Sequence, residues 1–300
     1  MASRLNHKKY MEDDFDLDRH KRVQEKKAVF KEFREKNQKL INILTAMIVI
    51  LAFVIAWLGY NVISYYIALW QNYKINRAAV EMLANKPADA APEQPSETPA
   101  ANAFAPLNDQ PIQEHLADLR QSFQNDDIIA YLNILDTNIN FPVVQEADNS
   151  YYLTHDLHKD ENVAGSAFMD YENRPDVKGY NTVIYAHNMR NGSMFHNLRY
   201  YADKAYYETH DLITLETLYD TTVWEIFSFY VSKVDFNYIQ IDFTDQEDFY
   251  TRLLKVVKEK SEYDTGVEVQ PGDKMLTLST CTNRIEDTRY VIHARLLERN

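Results

Sequence analysis

The sequence predicts a mainly β domain, a closed or nearly closed barrel decorated with few helices, behind a single N-terminal membrane-spanning helix. Three observations lead there. Eight short runs rich in β-branched, aromatic and other apolar residues fall at 128–135, 141–144, 167–169, 182–187, 212–216, 222–234, 274–281 and 289–297. Only one strongly amphipathic helical stretch interrupts them. Ahead of them, residues 40–73 carry no charged side chain.

Charge and cysteine usage narrow the function classes. The 300-residue chain has a net charge of −13, but residues 1–39 hold 12 Lys/Arg against 8 Asp/Glu, which leaves −17 on the remainder. An acidic bulk argues against nucleic-acid binding, which needs a basic face. A single cysteine, Cys281, excludes an internal disulfide and any zinc site built from several thiolates.

Taken in order, residues 1–39 read as a polar, solvated cytoplasmic tail. Residues 40–60 form the membrane span, long enough as a helix (about 31 Å) to cross the hydrocarbon layer. Trp57, Tyr60, Tyr65, Tyr66 and Trp70 supply interfacial aromatics on its far side. The length of the basic region and the absence of a small-x-small site argue against a cleaved signal peptide. Eight Lys/Arg lie within residues 21–39, whereas only Lys74 and Arg77 follow the span closely. This bias places the N-terminus in the cytoplasm and the remainder outside the cell. Residues 61–84 read as a juxtamembrane helical segment. Residues 85–111 hold six of the nine prolines and read as an extended linker. Residues 112–300 have the size of one domain. Within it, 112–123 is a short helix with Ile112, Leu116 and Leu119 on one face. A second helix over 244–260 opens with the capping box Thr244-Asp-Gln-Glu247 and buries Phe249, Tyr250, Leu253, Leu254 and Val257.

The chemistry centres on residues 275–297. Cys281 ends one β run, and a second run opens with Arg289 eight residues on. Strand alternation puts Met275, Thr277, Ser279 and Cys281 on one face, and Arg289, Val291, His293 and Arg295 on one face of the next strand. A strand-end thiol beside a fixed cation suits a cysteine nucleophile with an anion-stabilising partner. Such a nucleophile wants a histidine. Among nine, His187 stands out, because it ends the run 182–187, shares a face with Val183 and Tyr185, and precedes a Gly-containing loop. His293, on the face of Arg289, is the structural rival. His155 and His158 lack any companion pattern for a metal, and the other histidines fall in the tail, the first helix or polar loops.

The run TLSTC (277–281), the arginine eight residues on with RYVIHARL, and YAHNMRNGSMFHNL (185–198) resemble the class B sortases, transpeptidases of Gram-positive cell surfaces. INFPVVQEADNSYYLTHDL (139–157) and AGSAFMDYENRP (164–175) resemble the same class. The resemblance spans nearly all of residues 112–297. It implies an eight-stranded sortase-type β-barrel with an N-terminal helix and a helix before the nucleophile strand. It also implies His187, Cys281 and Arg289 as the catalytic three, with Arg284 in the same loop as the alternative cation. Ser279, Thr280 and Tyr185 would line the substrate groove, with Thr280 a candidate donor to the oxyanion. No metal and no cofactor are implied. The implied partners are surface proteins bearing a sorting motif of NPxTN or LPxTG type and a cell-wall amine on a peptidoglycan precursor. Two other expectations stay open: a pilin polymerase with a lysine acceptor, and a surface-binding module whose catalytic set has decayed.

Overall fold

The structure, a computed structural model, describes residues 2–84, 112–281 and 287–299, with side chains placed for Arg19 and for residues 21–84, 112–280 and 287–299. The 85–111 linker, the Cys281 side chain and Arg284 lie outside these described residues. The chain divides into two compact units, Met1–Ser64 and Tyr65–Asn300.

In the first unit, helix α1 (Ala2–Ala84) carries the uncharged stretch, and the helix is long and apolar enough to cross a membrane. The last twenty residues of α1 belong to the second unit. There Leu69 and Ala79 are buried in the main core, and the buried Asn72 donates from Nδ2 to the Gly165 carbonyl at 2.8 Å. Asn162 returns a bond from its own Nδ2 to the Ala68 carbonyl at 3.1 Å.

The barrel is built from β1 (Ile128–Asn133), β2 (Asn140–Val144), β3 (Ala167–Met169), β4 (Asn181–Tyr185), β5 (Leu212–Thr217), β6 (Thr221–Lys233), β7 (Met275–Cys281) and β8 (Thr288–Arg299). Their order around the closed barrel is β1-β2-β3-β4-β7-β8-β6-β5. All eight sequence-predicted runs are strands. The pairs β2–β3 and β4–β7 are parallel and the rest antiparallel. Closure removes the exposed edges that an open sheet of this size would present.

Helix α2 (Glu114–Phe123) buries Leu116, Leu119 and Phe123 at the start of the domain. A short helix α3 (Lys204–Tyr207) follows a 3₁₀ segment, Phe195–Ala202, that the sequence pattern does not announce. The helix before β7 starts one residue later than the Thr244 capping box predicts. Asp245 is the N-cap, its carboxylate accepting from the N–H groups of Glu247 and Asp248, and it opens α4 (Gln246–Phe249). The helix passes through a π turn at Tyr250–Leu254 into α5 (Lys255–Glu259).

Two apolar layers result. The larger core includes Ile184, Leu276, Leu278, Ile292 and Ala294 from one face of β4, β7 and β8. The opposite face of β6, β7 and β8, with Phe227, Met275 and Val291, packs against Phe249, Leu253, Leu254 and Val257 of the helical connection.

Gly165 couples α1 to the barrel. Its φ is +56°, and a Cβ there would lie 2.4 Å from the Tyr152 carbonyl oxygen. Gly266, at φ +76°, has open space around it. Gly165→Ala is expected to cost roughly 3 kcal/mol, against about 1 for Gly266→Ala, because only the first adds a backbone clash to the left-handed strain. Thermal melts of the two full-length variants in detergent check the ranking.

Candidate active site

The parallel register of β4 and β7 aligns Val183 with Thr277, Ile184 with Leu278 and Tyr185 with Ser279. Two residues further along each chain stand His187 and Cys281. The Thr280 hydroxyl, donating to the Ala186 carbonyl at 2.7 Å, carries the alignment past the end of β4. On the other side of β7, the antiparallel ladder with β8 sets Cys281 directly opposite Arg289. Adjacent strands lie about 5 Å apart. The three residues therefore stand at one end of three neighbouring strands.

Strand β4 stops at Tyr185, two residues before the end the sequence predicts. The chain after it folds back on itself: the Phe195 N–H donates to the His187 carbonyl at 2.9 Å, Asn188 and Met194 form a bridge, and Gly192, at φ +88°, turns the loop. The His187 ring is held from a third segment, with Nε2 2.8 Å from the Leu153 carbonyl oxygen. A carbonyl only accepts, so Nε2 carries the proton. In the neutral ring the free lone pair is then on Nδ1.

A cleft of about 620 Å³ runs along these strand ends. Its lining includes His187, Arg289, Ser279, Thr280 and Tyr185, the sequence-predicted site residues whose side chains are described. Val234, Phe236, Asn237, Tyr238 and Ile239, from the connection between β6 and α4, line it as well, as do Asn149, Leu153 and Phe168. Arg289 is the one arginine or lysine among the described lining residues. Tyr185 donates to Asp170 Oδ2 at 2.8 Å, and the same oxygen accepts from Asn149 Nδ2 at 2.9 Å. Burial, with the Asp170 charge behind it, pushes the Tyr185 phenol well above its usual range, so it remains a neutral donor. The Ser279 and Tyr238 hydroxyls meet at 2.8 Å, which joins strand to connection.

His293, the rival, is fully buried away from this cleft in a satisfied chain of hydrogen bonds. The Tyr230 hydroxyl donates to its Nε2 at 2.9 Å, and its Nδ1–H donates to Thr277 Oγ1 at 2.9 Å. Thr277 donates to Asn181 Oδ1 at 2.7 Å, and the Asn181 amide donates to the Tyr238 and Gln240 carbonyls. Burial pushes the His293 pKa down to about 3. His155 stacks on Tyr151 and His158 lies against Phe123, and among the described residues no group of three or more His, Cys, Asp or Glu is placed to hold a metal.

The sequence reading missed the Leu153 carbonyl and the whole 234–239 side of the cleft. Residues 139–157 carry one of the motifs, but a backbone acceptor leaves no trace in side-chain identity. The 234–239 run reads as a polar-aromatic loop.

With the geometry in view, the comparisons decide the family. The Sortase domain profile matches residues 132–297. Sortase B of Listeria monocytogenes is 39% identical over 188 residues, covering 62% of this chain and 75% of that protein. This chain is a class B sortase. Among solved structures, a Bacillus anthracis protein described as similar to sortase B superposes with a TM-score of 0.65 at 32% identity, covering 77% of this chain and 98% of that one. A Staphylococcus aureus sortase B–substrate complex gives a TM-score of 0.58 at 30% identity, covering 63% and 87%. As a sortase, the chain is a cysteine transpeptidase, and its barrel is the sortase B fold.

The buried imidazole makes this sortase sensitive to acid. The unfolded chain's ring takes up a proton below about pH 6.5, whereas the folded ring stays neutral down to about pH 3. Stability is therefore full above 6.5 and falls between those limits, with this one group contributing a slope of about 1.4 kcal/mol per pH unit. Denaturant midpoints measured from pH 7 to pH 4 are expected to fall less steeply in His293→Gln than in the parent chain.

Proposed function

We propose that this sortase cleaves a sorting motif of NPxTN or LPxTG type in surface proteins and joins them to a cell-wall amine on a peptidoglycan precursor. The observation that supports the reading is the strand register, which sets His187 and Cys281 two residues beyond the aligned pair Tyr185 and Ser279 and pairs Cys281 with Arg289, while His187 and Arg289 line one cleft.

Cys281 attacks the carbonyl of the motif's threonine and forms a thioacyl-enzyme. His187 protonates the departing amine and later takes a proton from the incoming one. Arg289 holds the oxyanion and the substrate backbone, a task that suits a permanently charged guanidinium fork. Tyr185, Ser279 and Thr280 line the groove that seats the motif. The hydroxyl of Thr280 is engaged by Ala186, so it supports the site by tying β7 to the chain that carries His187. The uncharged stretch of α1 anchors the enzyme, with the basic tail in the cytoplasm and the barrel outside the cell. The solved complex of Staphylococcus aureus sortase B with a substrate supports a substrate occupant for the groove.

Mass spectrometry of the full chain in detergent with NPxTN and LPxTG peptides is expected to show a thioacyl adduct on Cys281 that ends at the motif threonine. Cys281→Ala should show none while keeping its melting temperature; turnover by that variant refutes the assignment. Arg289→Lys keeps the charge and loses the fork, and peptide cleavage should fall about 10²- to 10³-fold. Arg284→Lys should leave cleavage within a few-fold of the parent.

A further inference from the structure

His187 lines a second cleft. This one, of about 600 Å³, is formed by Tyr65, Tyr66 and Leu69 of α1 facing Asn188, Met189, Arg190 and Asn191 of the loop after β4. His187 is the residue the two clefts share.

A transfer between two substrates needs such an arrangement. The acyl donor remains attached in its groove after the first step, so the acceptor must approach along another path. That path has to end at the group that takes the acceptor's proton. The second cleft includes His187 in its lining, and its helical wall is fixed in place. Leu69 is 6% exposed, Asn72 is hydrogen-bonded to the Gly165 carbonyl, and the Ala68 carbonyl accepts from Asn162. The lining is chemically mixed. Tyr66 is 63% exposed, Arg190 and Asn191 are exposed, and Met189 supplies an apolar floor. Phenol faces and an amide suit a polar peptide, and a guanidinium suits a carboxylate on it.

We propose that this cleft is the acceptor site, and that it receives an amine borne on a short polar peptide with a carboxylate paired to Arg190. The proposal rests on the transpeptidase reading above. In the step it serves, the acceptor nitrogen forms a bond to the acyl carbon and the carbon–sulfur bond breaks. The electron pair returns to the Cys281 sulfur, and His187 takes the proton released by the amine. The C-terminal part of α1 is thereby one wall of the enzyme's second substrate site as well as a support for the barrel.

The test uses the full chain in detergent with the donor peptide that acylates Cys281, and three nucleophiles: hydroxylamine, triglycine and triglycinamide. Tyr66→Ala and Arg190→Glu should leave the acylation rate and the hydroxylamine-driven release unchanged, because hydroxylamine is too small to need the cleft. Both should raise KM for triglycine about tenfold, and Arg190→Glu should raise it more for triglycine than for triglycinamide. Unchanged triglycine KM in both variants, with acylation intact, overturns the acceptor site and leaves the transpeptidase reading standing. A parent chain that never forms the thioacyl adduct instead sinks that reading, and the acceptor site with it.

Discussion

The parallel pairing of β4 with β7 is the constraint on which the site depends. Parallel neighbours finish at the same end of a sheet, so residues just past their last ladder bonds emerge together. The antiparallel partner β8 then starts where β7 ends. A slip of one residue would turn the side chains of one strand to the other face, and two sets of polar contacts oppose it. Thr280 binds the Ala186 carbonyl at the open end. Deeper in, Tyr230, His293, Thr277 and Asn181 form a one-directional chain of donors and acceptors across β6, β8, β7 and β4. Each buried member has a partner, so the chain specifies alignment without leaving an unpaired group in the apolar layer.

That polar chain ends on the Tyr238 and Gln240 carbonyls. The segment that closes one side of the cleft is thus tied to the strands beneath it. Apolar burial does the rest, because the same connection continues into α4 and α5, whose Phe249, Leu253 and Val257 pack on the face of β6, β7 and β8 that bears Phe227, Met275 and Val291. The larger core is a separate layer, built on the other face of the strands. Filling that layer holds the barrel together, while the site is assembled on the face that the connection only partly covers.

How much of this was legible in the sequence follows from where the information resides. The strands were legible because β-branched and aromatic runs bounded by polar segments leave a direct pattern, and all eight runs became strands. Cys281, His187 and Arg289 were legible as strand-end residues, and the motifs gave them an order. Thr244 was a reasonable cap by composition, yet Asp245 takes the role because its carboxylate reaches two N–H groups. The packing of Leu69, Asn72 and Ala79 on the barrel left no such trace. Its decisive partners are the carbonyls of Gly165 and Ala68, and main-chain acceptors are identical in every residue. The Leu153 carbonyl behind His187 was hidden for the same reason.

The choice of a main-chain carbonyl to hold that histidine has a chemical consequence. A main-chain carbonyl accepts from Nε2–H and so fixes the tautomer and orientation of the ring. In the proposed reaction one imidazole gives a proton in the first half and takes one in the second. A ring held in one orientation presents the same nitrogen to both halves of that reaction. Leu153 is the last residue of the 3₁₀ turn Tyr151–Leu153, whose Tyr152 is buried in the main core, so this acceptor is anchored to the barrel.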